Sequence, residues 1–295
     1  MPNRCDLLDL AKDLLPVIEA SLDEPFETQL AHWQAFYALR APSLPERLYA
    51  DYADTDGGWL AVARDRVWPH LAERMNDMKT AAASVRTIYE DVYLLACERL
   101  SFDEPLTVIS YVGLGNGAGW AATWEDRPAV LLGLENIAEL HWRRPSSIRA
   151  LLSHEIGHLF MTSVRKACDA SSLPDDPLLH LYEEGFAQHS EHVISGGETW
   201  HCASQPGWLE WCFAHEAYLA DKFLAAMGDR KDWQAFFGSW FDIDGWRQTG
   251  YFLGCRFVER LARTRTLRDI ARLDAADIKS LELQHLTATA LKLGT

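Results

Sequence analysis

The chain has 295 residues, 48% of them hydrophobic and 24% charged, which is the composition of a folded protein and not of a disordered one. Its 28 lysine and arginine residues are outnumbered by 43 aspartate and glutamate residues, and the formal net charge is −15. A chain this acidic is poorly suited to hold a nucleic-acid backbone, which requires a concentrated basic surface.

The sequence shows no signal for export or for a membrane. Asp6, Asp9, Lys12 and Asp13 interrupt the apolar residues near the start, so no signal-peptide core is formed. No stretch reaches the roughly 18 unbroken apolar residues of a membrane span. The six cysteines are scattered without a CxxC pair, which favours reduced thiols. We expect a cytoplasmic protein without a membrane partner, and its oligomeric state stays open.

Helical periodicity dominates the first hundred residues. Apolar residues recur at i, i+3, i+4 and i+7 over 7–18, and similar stripes run through 31–39 and 68–100. Prolines and a Gly-Gly pair separate these stripes. We predict an N-terminal helical region over residues 1–104, which is either a separate domain or part of the catalytic one.

The pattern changes after Pro105. Residues 106–114 and 128–134 are short and apolar, and they predict two strands joined by a glycine-rich turn. Ser146-Ser147 then offers the N-cap of a helix. Helical patterns return over 178–194, 208–227, 231–240, 246–264 and 274–292. The sequence therefore predicts an α+β fold, predominantly helical with a small sheet, in a catalytic domain over residues 105–295.

One helical segment, ALLSHEIGHLFM (150–161), places three titratable side chains in an apolar run. His154 and His158 are just over one helical turn apart, so both imidazoles project from the same face and can reach one ion. Glu155 lies about 100° around the helix and can reach a water on that ion. Two nitrogen ligands beside a carboxylate base are what an H-E-x-x-H helix supplies to catalytic zinc.

A catalytic zinc needs a third protein ligand and keeps a fourth position for water. The longer metzincin motif is absent, because Met161 and Val164 stand where its glycine and third histidine would be. Glu184 lies on the next predicted helix, and a helix–loop–helix return would bring it over the histidine pair. The neighbouring Glu183 is the alternative ligand.

The HEIGH motif and the EGFA segment that starts at Glu184 resemble the gluzincin metallopeptidases, whose relatives include thermolysin and aminopeptidase N. A later G-Y-x-x-G segment (250–254) makes the chain similar to bacterial proteins described only as predicted Zn-dependent proteases. The resemblance covers roughly residues 105–260. It implies a thermolysin-like fold in which His154, His158 and Glu184 hold Zn²⁺ and Glu155 is the general base.

Three further positions are candidates for roles around this centre. Tyr251 is the candidate donor to the negative oxygen of a tetrahedral intermediate, with His215 and His180 as competitors. Glu191 is either an orienting partner of a ligand histidine or a surface ion-pair residue. The LGLEN segment (132–136) matches the aminopeptidase G-x-M-E-N signature only in part, so no aminopeptidase specificity is predicted.

The sequence predicts a zinc-dependent hydrolase, and first of all a peptidase acting on a peptide or protein substrate that an edge strand within 128–134 aligns. Hydrolysis of a non-peptide amide is the first alternative. The second is a helical interaction or regulatory protein with a vestigial metal site, against which the intact Glu155 argues. A nucleotide-binding loop is disfavoured, because the glycines of 113–119 fit neither G-x-G-x-x-G nor the P-loop.

Overall fold

The computed structural model describes residues 5–168, 172–203, 205–238 and 240–294 and confirms the predicted α+β class, with many helices and one small sheet. The chain forms two compact units. The first contains the residues up to 93 together with 103–152, and the second contains 94–102 together with the chain from 153 onward. The predicted division into 1–104 and 105–295 stays a prediction.

The first unit contains a four-stranded sheet. Its strands are β1 (Cys5–Asp9), β2 (Leu106–Tyr111), β3 (Gly119–Trp124) and β4 (Arg127–Gly133), and they lie in the order β1-β2-β4-β3. Strands β1, β2 and β4 are parallel, whereas β3 runs antiparallel to β4. Every residue of β2 is buried, as expected for a central strand that reads as a continuous apolar run.

Six helices accompany this sheet in the chain. They are α1 (Leu10–Ser21), α2 (Phe26–Arg40), α3 (Ser43–Ala50), α4 (Gly58–Val62), α5 (Leu71–Leu100), whose last residues belong to the second unit, and α6 (Leu134–Glu139). A short π-helical turn (Ala63–Val67) and a 3₁₀ turn (Trp68–His70) precede α5. The helical prediction for the N-terminal region is right except at its beginning.

The first apolar residues form a strand and not the start of a helix. Leu7 pairs with Val108 of β2, and α1 begins only at Leu10, where the Asp9 carboxylate accepts a hydrogen bond from the Lys12 amide at 3.1 Å. Leu7 and Leu8 fit both the helical and the strand period of apolar residues. The segment is a strand because it pairs with β2, about a hundred residues later in the chain.

The segment 119–124, predicted to belong to a glycine-rich connection, is strand β3. As a result β4 is hydrogen-bonded on both sides, to β2 and to β3, and cannot be an edge strand. The expectation that residues 128–134 supply an edge for an extended peptide is therefore wrong. The edges of this sheet are β1 and β3.

Glu135, in the LGLEN segment, holds the glycine-rich loop. Its carboxylate accepts hydrogen bonds from the amides of Gly113 at 2.8 Å and Gly115 at 3.1 Å, and the side chain is buried. Burial raises the pKa of Glu135, and the two amides oppose that rise. The Glu135 carboxylate thus binds backbone amides of its own unit.

The second unit is helical in its described part. Its elements are α7 (Pro145–Lys166, whose first residues belong to the first unit), α8 (Pro177–Ser195), α9 (Trp208–Ala214), α10 (Glu216–Ala226), α11 (Arg230–Gln234), α12 (Thr249–Ala262), α13 (Leu267–Ala271), α14 (Ala275–Ala290) and a 3₁₀ turn (Leu291–Gly294). The helix predicted over 208–227 is two helices that meet at His215. Among the described residues, none of the helices combines the length and the apolar character needed to cross a bilayer.

Local sequence explains where α8 begins and ends. The Asp176 carboxylate accepts hydrogen bonds from the amides of Leu178 and Leu179, and Pro177 occupies the first helical position, where no amide hydrogen is needed. Gly196 ends the helix in the left-handed region at φ 75°. Local residues at both ends therefore determine the boundaries of the helix that carries Glu184.

Glu282, on α14, is fully buried, and neither of its carboxylate oxygens has a hydrogen-bond partner in the described part of the chain. Burial, with a smaller contribution from Asp176, raises the pKa of Glu282 well above its ordinary value of 4.5. Because the folded-state pKa is the higher one, ionisation favours unfolding, and stability is lost as the pH rises above the unfolded-state value.

We expect Glu282→Gln to stabilise the protein at pH 8 by about 1–3 kcal/mol and to have almost no effect near pH 4. Urea unfolding at several pH values measures this difference. The matched control is Glu98→Gln at an exposed position, whose effect on the free energy of unfolding should stay within about 0.5 kcal/mol. A pH-independent difference for Glu282→Gln would contradict the prediction.

Candidate metal centre

Three donor atoms from two helices converge in the second unit. His154 and His158 lie on α7 and Glu184 lies on α8. His154 Nε2 is 3.1 Å from His158 Nε2 and 3.2 Å from Glu184 Oε2, and His158 Nε2 is 3.5 Å from the same oxygen. The histidine pair and the glutamate singled out in the sequence therefore lie together.

These separations match the donor spacing of a tetrahedral zinc site. Zinc binds imidazole nitrogen and carboxylate oxygen at about 2.0–2.1 Å, so two such donors in a tetrahedron lie about 3.3 Å apart. The three measured distances, 3.1, 3.2 and 3.5 Å, bracket this value. Two nitrogens and one oxygen also form the ligand set of zinc sites that keep one position for water. The residues fit the ion that the resemblance implies.

Gly157, inside the HEIGH motif, allows α7 and α8 to approach closely. A Cβ atom at this position would lie 2.7 Å from the Ser190 Cβ and 3.0 Å from the Ala187 Cα. Any larger residue would push α8 away from α7, and Glu184 would move with it. The glycine thus keeps the third donor within reach of the two histidines.

Gly185 likewise allows a close approach, in this case between α8 and α12. A Cβ there would lie 2.0 Å from the carbonyl carbon of Gly254, and a Cβ on Gly254 would lie 2.1 Å from the Leu181 oxygen. Two motifs noticed separately in the sequence, EGFA and G-Y-x-x-G, are therefore the two sides of one helix crossing. This crossing brings Tyr251 to the histidine pair.

The charges of the three donors are coupled. Burial lowers the pKa of His158, but the carboxylates of Glu184, Glu155 and Glu183 together raise it to about 9. Burial, and next the neighbouring His201, lowers the pKa of His154 to about 3. Burial raises the pKa of Glu184, yet the two histidines hold it well below its usual value. The pKa shifts of His158 and Glu184 both favour the ion pair between them.

Glu155 is buried one residue after His154. Burial and the Glu184 carboxylate are the main reasons why the pKa of Tyr251 is well above its usual value, and Glu155 contributes in the same direction. Burial lowers the pKa of His158, and Glu155 contributes, after Glu184, to the negative charge that raises it. The predicted base is thus electrostatically coupled both to a ligand histidine and to the candidate oxyanion donor.

Tyr251, on α12, packs against the centre. Its ring centroid lies 5.5 Å from that of His154 and 5.4 Å from that of His201. The raised pKa keeps the phenol protonated at neutral pH, so the hydroxyl can donate a hydrogen bond. Its role in stabilising an oxyanion stays a prediction.

His201 has no part in the sequence prediction, although it is buried beside the centre. Its ring lies 4.4 Å from that of His154. The Glu191 carboxylate lies 2.7 Å from His201 Nδ1 and accepts a hydrogen bond from the His201 amide at 3.2 Å. Glu191 is therefore not a surface ion-pair residue, because it is fully buried, and the histidine that it contacts is His201 and not one of the two predicted ligands. No local motif surrounds His201 that could have identified it.

The other candidate residues, Glu183, His180 and His215, are not among the three converging donors. Glu183 is absent from the converging group, and burial raises its pKa to about 7. His180 packs against Trp233 and Phe237, and its pKa is lowered by burial. His215 stacks on a tryptophan ring with a centroid distance of 4.3 Å, and its Nδ1 lies 2.8 Å from that residue's carbonyl oxygen. Of the two glutamates, the structure brings Glu184 to the histidines.

No family model matches the chain, and neither a curated protein nor a solved structure matches it. The described geometry defines a group of two imidazoles and one carboxylate, of which His154 is buried and the other two are partly buried, flanked by a second carboxylate and a phenol, on three packed helices.

Proposed function

We propose that the protein is a zinc-dependent hydrolase, and specifically a peptidase of the gluzincin type with a thermolysin-like catalytic fold. The observation that carries this proposal is the convergence of His154 Nε2, His158 Nε2 and Glu184 Oε2 within 3.5 Å of one another. An adjacent carboxylate that is not one of the three donors distinguishes this group from a purely structural site, which has no use for a base.

The proposed roles follow from the chemistry of each side chain. His154, His158 and Glu184 would hold Zn²⁺, which supplies a water of lowered pKa and polarises a carbonyl when it is bound. Glu155 accepts the proton of the attacking water on its carboxylate and passes it to the leaving amine. The Tyr251 hydroxyl donates a hydrogen bond to the oxygen that becomes negative.

A peptide bond is the proposed target because the arrangement pairs a carboxylate base with a neutral phenol donor, and amide hydrolysis needs both a proton acceptor and a stabilised oxyanion. A non-peptide amide needs the same two groups. A panel of peptides and small amides distinguishes these substrates, and binding of a protein partner without metal-dependent hydrolysis would favour the regulatory alternative.

The proposal is tested by zinc content. Purified wild type, His158→Ala and Glu184→Ala are loaded with zinc, dialysed and measured by elemental analysis. We expect each variant to lose one equivalent of zinc relative to wild type, because each lacks one of three ligands. Glu183→Ala is the matched control and should keep the wild-type content, since its carboxylate is outside the group.

Two outcomes would contradict the proposal. The first is equal zinc content in wild type and both ligand variants. The second is a loss of zinc in Glu183→Ala with none in Glu184→Ala, which would assign the third ligand to the neighbouring residue.

A further inference from the structure

A second group of metal-binding side chains lies on α8 and α12, apart from the three donors described above. It consists of His189 and His192 on α8 and Cys255 and Glu259 on α12. One ligand atom from each residue lies within 4.8 Å of the ligand atoms of the other three. The group contains two imidazoles, a thiol and a carboxylate.

The helix crossing at Gly185 and Gly254 creates this group. Residues three or four positions apart lie on the same face of a helix, so each helix presents a pair of donors. Cys255 directly follows Gly254, the residue at which the two backbones are closest. The facing pairs are therefore held by the same contact that brings Tyr251 to His154.

Two of the six distances between donor atoms in this group are slightly longer than those of a metal site, and the others are at most 4.8 Å. Cys255 Sγ lies 4.0 Å from His192 Nδ1 and 3.9 Å from Glu259 Oε1. Around a tetrahedral zinc, with Zn–S of about 2.3 Å and Zn–N or Zn–O of about 2.0 Å, these pairs would lie about 3.6 Å apart. A contraction of a few tenths of an ångström is within the reach of side-chain rotation.

The His189 imidazole has a ring nitrogen available to a metal. His189 Nδ1 is buried, and in the described part of the chain it has no hydrogen-bond partner. An unpartnered buried nitrogen carries an energetic penalty that a metal bond would remove.

Two existing contacts must accommodate the ion. Glu259 Oε2 pairs with Arg256, but the other oxygen, Oε1, faces Cys255 and can bind while that pair persists. His192 Nε2 lies 3.2 Å from Gln188 Nε2. A metal on Nδ1 leaves the proton on Nε2, and the Thr199 carbonyl, which is a hydrogen-bond partner of His192, can accept it while Gln188 Nε2 continues to donate to the same carbonyl at 2.8 Å.

From this geometry we infer that His189, His192, Cys255 and Glu259 form a second metal site, which binds Zn²⁺ or a similar divalent transition ion with four protein ligands. Four protein ligands leave no position for water, so the site is structural and ties α8 to α12. It does not depend on the proposed peptidase activity.

Cobalt substitution tests this site separately from the first. The protein is titrated with cobalt chloride, and the charge-transfer absorption of a Co²⁺–thiolate bond is followed in the near ultraviolet. His154, His158 and Glu184 contain no sulfur, so the band reports only a site with cysteine. We expect the band in wild type and in His158→Ala, its loss in Cys255→Ser, and its retention in Cys212→Ser, a matched variant of another buried cysteine.

Absence of the band from wild type would overturn the inference, and so would its persistence in Cys255→Ser. Should Cys255→Ser fail to fold, His189→Ala, at a partly exposed position, takes its place. The His189→Ala variant keeps the Cys255 thiol, so the band should still appear but only at higher cobalt concentrations. A titration unchanged from that of wild type would overturn the assignment. If His154, His158 and Glu184 bind no metal, the expected outcomes of this experiment do not change.

Discussion

Glu155→Gln is expected to reduce hydrolysis by a factor of about 10²–10⁴ while zinc remains bound, because a general base contributes acceleration of that size. Glutamine keeps the shape of the side chain but cannot accept a proton from water. Glu155 is not one of the converging donors, so its neutralisation should not remove an ion. The measurement pairs the rate of peptide cleavage with the zinc content of the same sample.

Glu183→Gln provides the control for Glu155→Gln. Glu183 is a partly buried carboxylate next in sequence to the proposed ligand Glu184, but it is not one of the converging donors. We expect its cleavage rate to stay near that of wild type. Full activity in Glu155→Gln would end the proposed mechanism, and loss of zinc in that variant would make Glu155 a ligand.

Gly185→Ala is expected to destabilise the protein by about 3 kcal/mol or more. The new Cβ would lie 2.0 Å from the carbonyl carbon and 2.2 Å from the carbonyl oxygen of Gly254, and backbone atoms cannot rotate away as a side chain can. The helices α8 and α12 must separate. Urea unfolding of metal-free protein measures the loss, and zinc titration should show weaker binding because Glu184 precedes the substituted residue.

Gly197→Ala is the control for the helix crossing. Nothing lies within 4 Å of a Cβ at Gly197, and its backbone is outside the left-handed region. Its effect on the free energy of unfolding should stay within about 0.5 kcal/mol. Equal stability of Gly185→Ala and Gly197→Ala would show that the crossing is not as tight as described.

The helices of the candidate site were predicted more closely than the sheet. The helix predicted over 178–194, which carries the EGFA motif, matches α8, and the N-cap predicted at Ser146-Ser147 for the HEIGH helix lies within two residues of the start of α7. Strand β3 was missed because GWAATW contains glycine and alanine, which have no strand preference of their own. Strand β1 was missed because its leucines also fit the helix that follows.

The sequence by itself determined the local features of this protein: the α+β class, the helix that carries His154, Glu155 and His158, and the helix that carries Glu184. These depend on spacing over one or two helical turns, which neighbouring residues dictate. The tertiary structure alone decided which strand is an edge, that Glu191 pairs with His201, and that Cys255 lies beside His192. Each of these features joins residues that are far apart in the chain, and the approach of α8 to α12 depends on close packing at Gly185 and Gly254, which no local pattern reveals.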